Sequence, residues 1–158
     1  MDGTDKYKKD FRIMGGNQIE NLKEYLHHIM NNQENAELHI GCDSQNVGTK
    51  TVYVTTIVLR YQNNGAHVLY HKEKVPKIVD LWTKLWGETE RSVDLANWVK
   101  DVCQLPVKQI DLDYNSDPEY PSNKLLSAST GYITSLGFIA KAKPELLMAV
   151  WAANVLCH

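Results

Sequence analysis

The sequence predicts an α/β domain on a mixed five-stranded sheet, and three observations carry that prediction. The hydrophobic period is helical at the start, falls to two over residues 37–75, and then alternates between helical and strand-like segments. The first three strand-like segments are joined by short Asn/Gly turns, which suit only antiparallel neighbours. The later ones are separated by helices, the mark of parallel crossovers.

The elements follow in order. Residues 1–16 are polar and end in Gly15-Gly16, so they are expected to form a flexible N-terminal arm before a single domain over 17–158. Apolar residues at Ile19, Leu22, Leu26, Ile29 and Met30 predict an additional N-terminal helix over 17–32, with Asn17 as its N-cap. Glu37 to Asp43 alternates, with Leu38, Ile40 and Cys42 on one face and His39, Gly41 and Asp43 on the other. A turn at Asn46-Val47-Gly48 leads to Thr51–Tyr61, the densest run of β-branched and aromatic residues in the chain. Asn63-Asn64-Gly65 turns the chain into a third strand, from Ala66 to Val75. A helix from Val79 to Val102 comes next, with Ile78, Trp82, Leu85, Trp86, Val93 and Ala96 as its apolar stripe. Gly87 interrupts its middle and marks either a kink or a close backbone approach. Then follow a strand over Val107–Asp113, a polar loop, a helix capped by Ser122, a short strand at 137–140, and a last helix from Pro144 to Cys157. The order is β-β-β-α-β-α-β-α after the first helix.

The composition sets bounds. A chain of 158 residues with 43% hydrophobic side chains supports one core. No apolar run approaches the roughly 20 residues that span a bilayer, and the start, MDGTDKYKKDF, has no secretory core. Three widely separated cysteines point to a reducing cytoplasm rather than a disulfide framework. With 17 basic and 19 acidic residues, electrostatics over the whole chain would not attract nucleic acid. Such a partner needs a local patch or metal ions.

The carboxylates supply the chemistry. Asp43 stands where the first strand gives way to its turn, and Asp111 and Asp113 share a face of the fourth. If those strands are neighbours, Asp43 and Asp113 meet at the centre of the sheet, where their repulsion is tolerable with a divalent cation between them. The long helix offers Glu88 and Glu90, which differ by about 200° around its axis, so one alone can face the sheet. Glu90 flanks the apolar stripe, one turn after Trp86, and is the expected third acid.

The order of elements, together with IGCDSQ, ETERSVDLA, QIDLDYN and KPELLMAVWAANVLCH, resembles the ribonuclease H-like superfamily, and more narrowly the predicted nucleases of the YkuK type. The resemblance runs from Glu37 to the C-terminus. It implies a two-metal nuclease that hydrolyses phosphodiester bonds with Mg²⁺ or Mn²⁺, with Asp43 bridging the ions and Glu90 and Asp113 as further ligands. A fourth acid is expected on the last helix. Here that helix offers Glu145 in its first turn and Asn154 nine residues later, on opposite sides. Either Glu145 serves the site, Asn154 replaces the acid, or the ligand is missing.

Ser44, Gln45 and Asn46 follow the first Asp and are candidate donors to phosphate or ribose; Lys124 and Lys50 are among the candidate backbone contacts. One of the four tryptophans could stack a base, and the sequence does not say which. The substrate, whether RNA, DNA or a hybrid, is equally open. A nucleic-acid-binding module that has lost catalysis is the alternative.

Overall fold

The protein, seen in a computed structural model that describes residues 6–61, 65–114, 119, 123–142 and 148–157, is a six-stranded mixed sheet with helices on both faces. In chain order the elements are β1 (Arg12–Ile13), α1 (Leu22–Asn32), β2 (Glu37–Val47), β3 (Lys50–Tyr61), β4 (Gly65–Pro76), α2 (Leu81–Asp101), β5 (Gln109–Leu112), α3 (Asn123–Ser135), β6 (Ala140–Ala142) and α4 (Met148–Cys157). The strands lie in the order β1-β4-β3-β2-β5-β6. β1, β4, β3 and β2 pair antiparallel in turn, while β2, β5 and β6 are parallel. The expected class and the two-part character of the sheet are therefore observed, with one strand more than expected.

That extra strand comes from the segment expected to be a loose arm. Arg12 and Ile13 pair with Tyr70 and Leu69 of β4. Phe11 is fully buried, and the Tyr7 ring stands edge-on to both Phe11 and Trp98. Residues 6–16 are thus part of the folded unit. The same pairing delays the first helix: the Asn17 carbonyl accepts from Ile13 N and Ile19 N donates to Phe11 O, so 17–19 is extended. Asn21, not Asn17, caps α1, its side chain accepting from Glu24 N at 3.2 Å. Phe11→Ala should cost about 3–5 kcal/mol, the usual value for a fully buried Phe. Denaturant unfolding checks this, since a loose arm would show no loss.

Two other boundaries move for local reasons. The β2–β3 turn is Gly48-Thr49, so β2 continues through Asn46, and Asp43 is inside the strand rather than at its end. The expected strand at 137–140 begins only at Ala140. Gly137 adopts φ 88° and Phe138 N donates to Ile133 O, so the chain is still closing α3 there. The expected turn residues Asn63 and Asn64, the loop 115–118, Ser122 and Pro144 lie outside the described residues.

The main core is on one face. Leu38 and Ile40 of β2 and Ile57 and Leu59 of β3 pack under Val93, Leu95, Ala96 and Val99 of α2. On the other face α4 lays Ala149, Ala152 and Ala153 against Val52, Val54 and Val58. These small side chains let the helix come close. The central strand β3 is buried from Thr51 to Leu59, as its continuous β-branched run requires.

Candidate active site

β2 and β5 are neighbours, and their parallel register sets Gly41 level with Asp111. Two residues further along each chain stand Asp43, on the face of β2 that α4 covers, and Asp113, which lies one residue past the end of β5, since the expected strand stops at Leu112. The expected approach of these two aspartates therefore has its structural basis. Asp43 is buried, and its Oδ1 accepts from Ser44 N at 2.8 Å.

The acid that α2 buries beside Asp43 is Glu88. It is only 4% exposed, and its Oε2 accepts a hydrogen bond from Ser44 Oγ. Burial holds its carboxyl well above the usual glutamate range; the charge of Asp43 adds to this, and that of Asp113 more weakly, against the Ser44 hydrogen bond and Lys84. Glu88 thus reports electrostatically on both aspartates. Ser44 links two of the acids, its amide donating to Asp43 and its hydroxyl to Glu88.

Glu90, the acid expected from the sequence, is exposed and points elsewhere. It lines a cleft with Tyr7, Asp10, Thr55 and Asp94. The reason is the phase of α2. Its buried stripe is Gly87, Glu88, Thr89, Ser92, Val93, Leu95, Ala96, Trp98 and Val99. Trp82 is 47% exposed, and Trp86 lies on the flank against Tyr132, so the bulky residues misplace the stripe. Polar residues occupy its centre because they have partners: Thr89 Oγ1 lies 2.7 Å from Tyr114 Oη and 3.0 Å from Ser129 Oγ. The signal in the sequence was the small-residue series Gly87, Ser92 and Ala96 around Glu88, which marks a face that packs closely.

The other candidates separate. Ser44 spends its hydroxyl on Glu88 instead of facing a substrate. Asn46 is committed as well: its Nδ2 donates to Ile78 O at 3.1 Å and its Oδ1 accepts from Thr51 Oγ1 at 2.6 Å. Gln45 is half-buried on Asp43's face of β2. Lys124 is exposed in the first turn of α3. Asp111 accepts from Gln109 Nε2 at 2.6 Å and from Ala149 N at 3.1 Å, so it secures the start of α4.

From that start, α4 runs toward the acids. Leu156 and Cys157 in its last turn pack on Val52 and Val54, the strand partners of Gln45 and Asp43, and burial raises the Cys157 thiol to about 12, with the charges of Asp43 and Glu88 adding to it. Asn154 belongs to α4, but its side chain lies outside the described residues, as does all of Glu145.

A family model described as Ribonuclease H-like matches residues 18–157. The chain belongs to this family. No curated protein matches this ribonuclease H-like chain, and no solved structure does. The family ties the fold to nuclease-type chemistry on nucleic acid. No helix among the described residues is long and apolar enough to cross a membrane.

A divalent cation is implied by the resemblance to two-metal nucleases. Three carboxylates, Asp43 and Glu88 buried and Asp113 half-buried, are donors of the hard kind that Mg²⁺ and Mn²⁺ take, and the Glu88 carboxyl is raised by burial first and by the charges of the two aspartates second. As placed, no three His, Cys, Asp or Glu side chains among the described residues stand close enough to hold an ion. The set fits a cation in chemistry, and ligation requires the carboxylates to draw together.

Proposed function

We propose that the chain is a divalent-metal-dependent nuclease in which Asp43, Glu88 and Asp113 hold the metal. The observation that carries this reading is the link of Glu88 on α2 through Ser44 to Asp43 on β2, with the charges of Asp43 and of Asp113 after β5 both felt at Glu88, inside a ribonuclease H-like fold. Two Mg²⁺ or Mn²⁺ ions would supply an activated water and charge stabilisation at the phosphate. The chain's own part is positional. Asp43 is carried on β2 and Asp113 directly follows the adjacent β5, and Ser44 orients Asp43 and Glu88 together. Glu88 keeps its proton more readily than an ordinary glutamate and must release it from its carboxyl to become a ligand. Cation binding should therefore release protons and weaken as pH falls. Asn154 or Glu145 would complete the set from the last helix.

Asp43→Asn and Asp113→Asn should fold normally and lose Mn²⁺ binding and cleavage together. The check is calorimetric Mn²⁺ titration beside a panel of labelled single strands, duplexes, hybrids and junctions in Mg²⁺, Mn²⁺ and EDTA. Full activity in both variants would misplace the site. The presence of Asn154 on the last helix favours a second reading, a binding module without turnover. Tight binding that is indifferent to metal, with no cutting, would support it.

A further inference from the structure

Charge on this chain is uneven. Acids outnumber bases, 19 to 17. Yet the end of the sheet beside the acid cluster carries Lys50, Lys72, Lys74 and Lys77, all exposed, and α2 adds Lys84 one turn before Glu88. Register places them. Val54 pairs with both Asp43 and Lys72, and Val52 with Gln45 and Lys74, so Lys72 is two strands from Asp43 in one row. At the usual strand spacing, their Cα atoms are on the order of 10 Å apart. Leu156 and Cys157 pack over the same row, and the Cys157 thiol senses Asp43 and Glu88 as well as Lys72 and Lys84.

None of the five lysines is in an ion pair among the described residues. The nearby acids are engaged: Glu73, on the opposite face of β4, accepts from Arg91 Nε at 2.7 Å, and Asp80 accepts from Thr83 N at 3.0 Å. An apolar edge adjoins the lysines. Val79 is 85% exposed and Trp82 47%, whereas Trp98 is buried. The bond from Asn46 Nδ2 to Ile78 O ties this edge to the end of β2.

We propose that this surface binds an unpaired strand of nucleic acid, RNA or DNA, with the lysines taking its phosphates and Trp82 stacking one of its bases. The inference rests on the nuclease reading and narrows its substrate class. Stacking on an exposed ring needs a base free of its duplex partner, and phosphates need cations that are not already paired. The strand would run past Trp82 and Lys84 to Asp43.

The test is fluorescence anisotropy in EDTA with the full chain, a labelled single strand of RNA or DNA, and the matching duplexes. The single strands should bind more tightly than the duplexes. Lys72→Ala combined with Lys74→Ala should shallow the salt dependence by about 0.7 for each phosphate that the two lysines neutralise. Trp82→Ala should weaken single-strand binding about tenfold, with Trp82→Phe retaining part of it. Lys108→Ala, at the other end of the sheet where Lys108 N meets Leu38 O, should change nothing. Equal duplex binding, or lysine variants with unaltered affinity and slope, would overturn the proposal. So would lysine variants that bind normally but self-associate, since lysines also guard open strand edges. Wild-type cleavage in Mg²⁺ is read separately: cutting with unaltered variant binding fails this inference alone, and binding through these residues without cutting fails the nuclease reading alone.

Discussion

Glu88→Gln should give a protein that melts at higher temperature than wild type in EDTA and no longer cleaves nucleic acid, while Glu90→Gln changes neither property appreciably. The two positions are separated by half a helical turn and by their surroundings. The amide oxygen introduced by Glu88→Gln can still accept from Ser44 Oγ, so the hydrogen bond survives while the buried charge beside Asp43 and Asp113 is removed. Relief of that desolvation should be worth roughly 1–3 kcal/mol, or about 2–4 °C per kcal/mol for a chain of this size. Cleavage should fall by well over the ~10–100-fold that loss of an outer-shell partner costs, because a ligand itself is removed.

The pH dependence carries the same signature. A carboxyl held above its ordinary value of 4.5 binds a proton more tightly folded than unfolded. Its contribution is fully present below 4.5 and is lost as pH rises through the folded value. Wild type in EDTA should therefore lose stability relative to Glu88→Gln as pH rises from 4.5 toward neutrality, and saturating Mg²⁺ should close the gap. Parallel melts of the two proteins across that range isolate Glu88 from every other titrating group. Curves that stay parallel would refute a buried, charge-stressed Glu88.

Gly87→Ala should destabilise the protein, although the same change in an ordinary helix interior stabilises by about 1 kcal/mol. A Cβ at 87 would stand 2.4 Å from Tyr53 Oη and 2.9 Å from its Cζ. Tyr53 cannot withdraw: it is fully buried, its hydroxyl donates to Lys84 O at 2.8 Å, and the Arg91 guanidinium lies 3.7 Å above its ring. Overpacking of this kind costs about 1–3 kcal/mol. Lifting α2 here would also draw Glu88 from Ser44, so cleavage should fall with stability. Tyr53→Phe removes the nearest atom, and the double variant should be more stable than the sum of the single losses. Additive losses in that cycle would mean that the clash with Tyr53 is not the cause. Of the two readings the sequence allowed for this glycine, the close approach is the one observed.

Much of the site was legible. Period-two patterning put Asp43 opposite Leu38, Ile40 and Cys42, and helical connections implied a parallel side to the sheet, while the pairing of β2 with β5 that brings Asp113 alongside stayed a condition until the structure met it. The phase of α2 was not legible. Trp82 and Trp86 dominate any hydrophobic average, yet they sit at its margin, while Thr89 and Ser92 occupy the interior. Thr89 is there because Tyr114 and Ser129, 25 and 40 residues away, offer hydrogen bonds. Ser44 and Asn46 read as free polar donors for the same reason: their partners Glu88 and Ile78 are distant in the chain.

The sequence by itself determined the order of elements from α1 onward, the division of the sheet into antiparallel and parallel parts, and the strand-forming segments that Asp43 and Asp113 belong to or follow. Those properties follow from local periodicity and connection length, which each segment holds within itself. Only the tertiary structure decided that Phe11 anchors the N-terminal segment, that Glu88 rather than Glu90 is buried against Ser44, and that Trp82 is the exposed ring among Trp82, Trp86 and Trp98. Each of these depends on which face of a segment meets a partner far along the chain, and burial of a polar side chain is decided by that partner's hydrogen bonds.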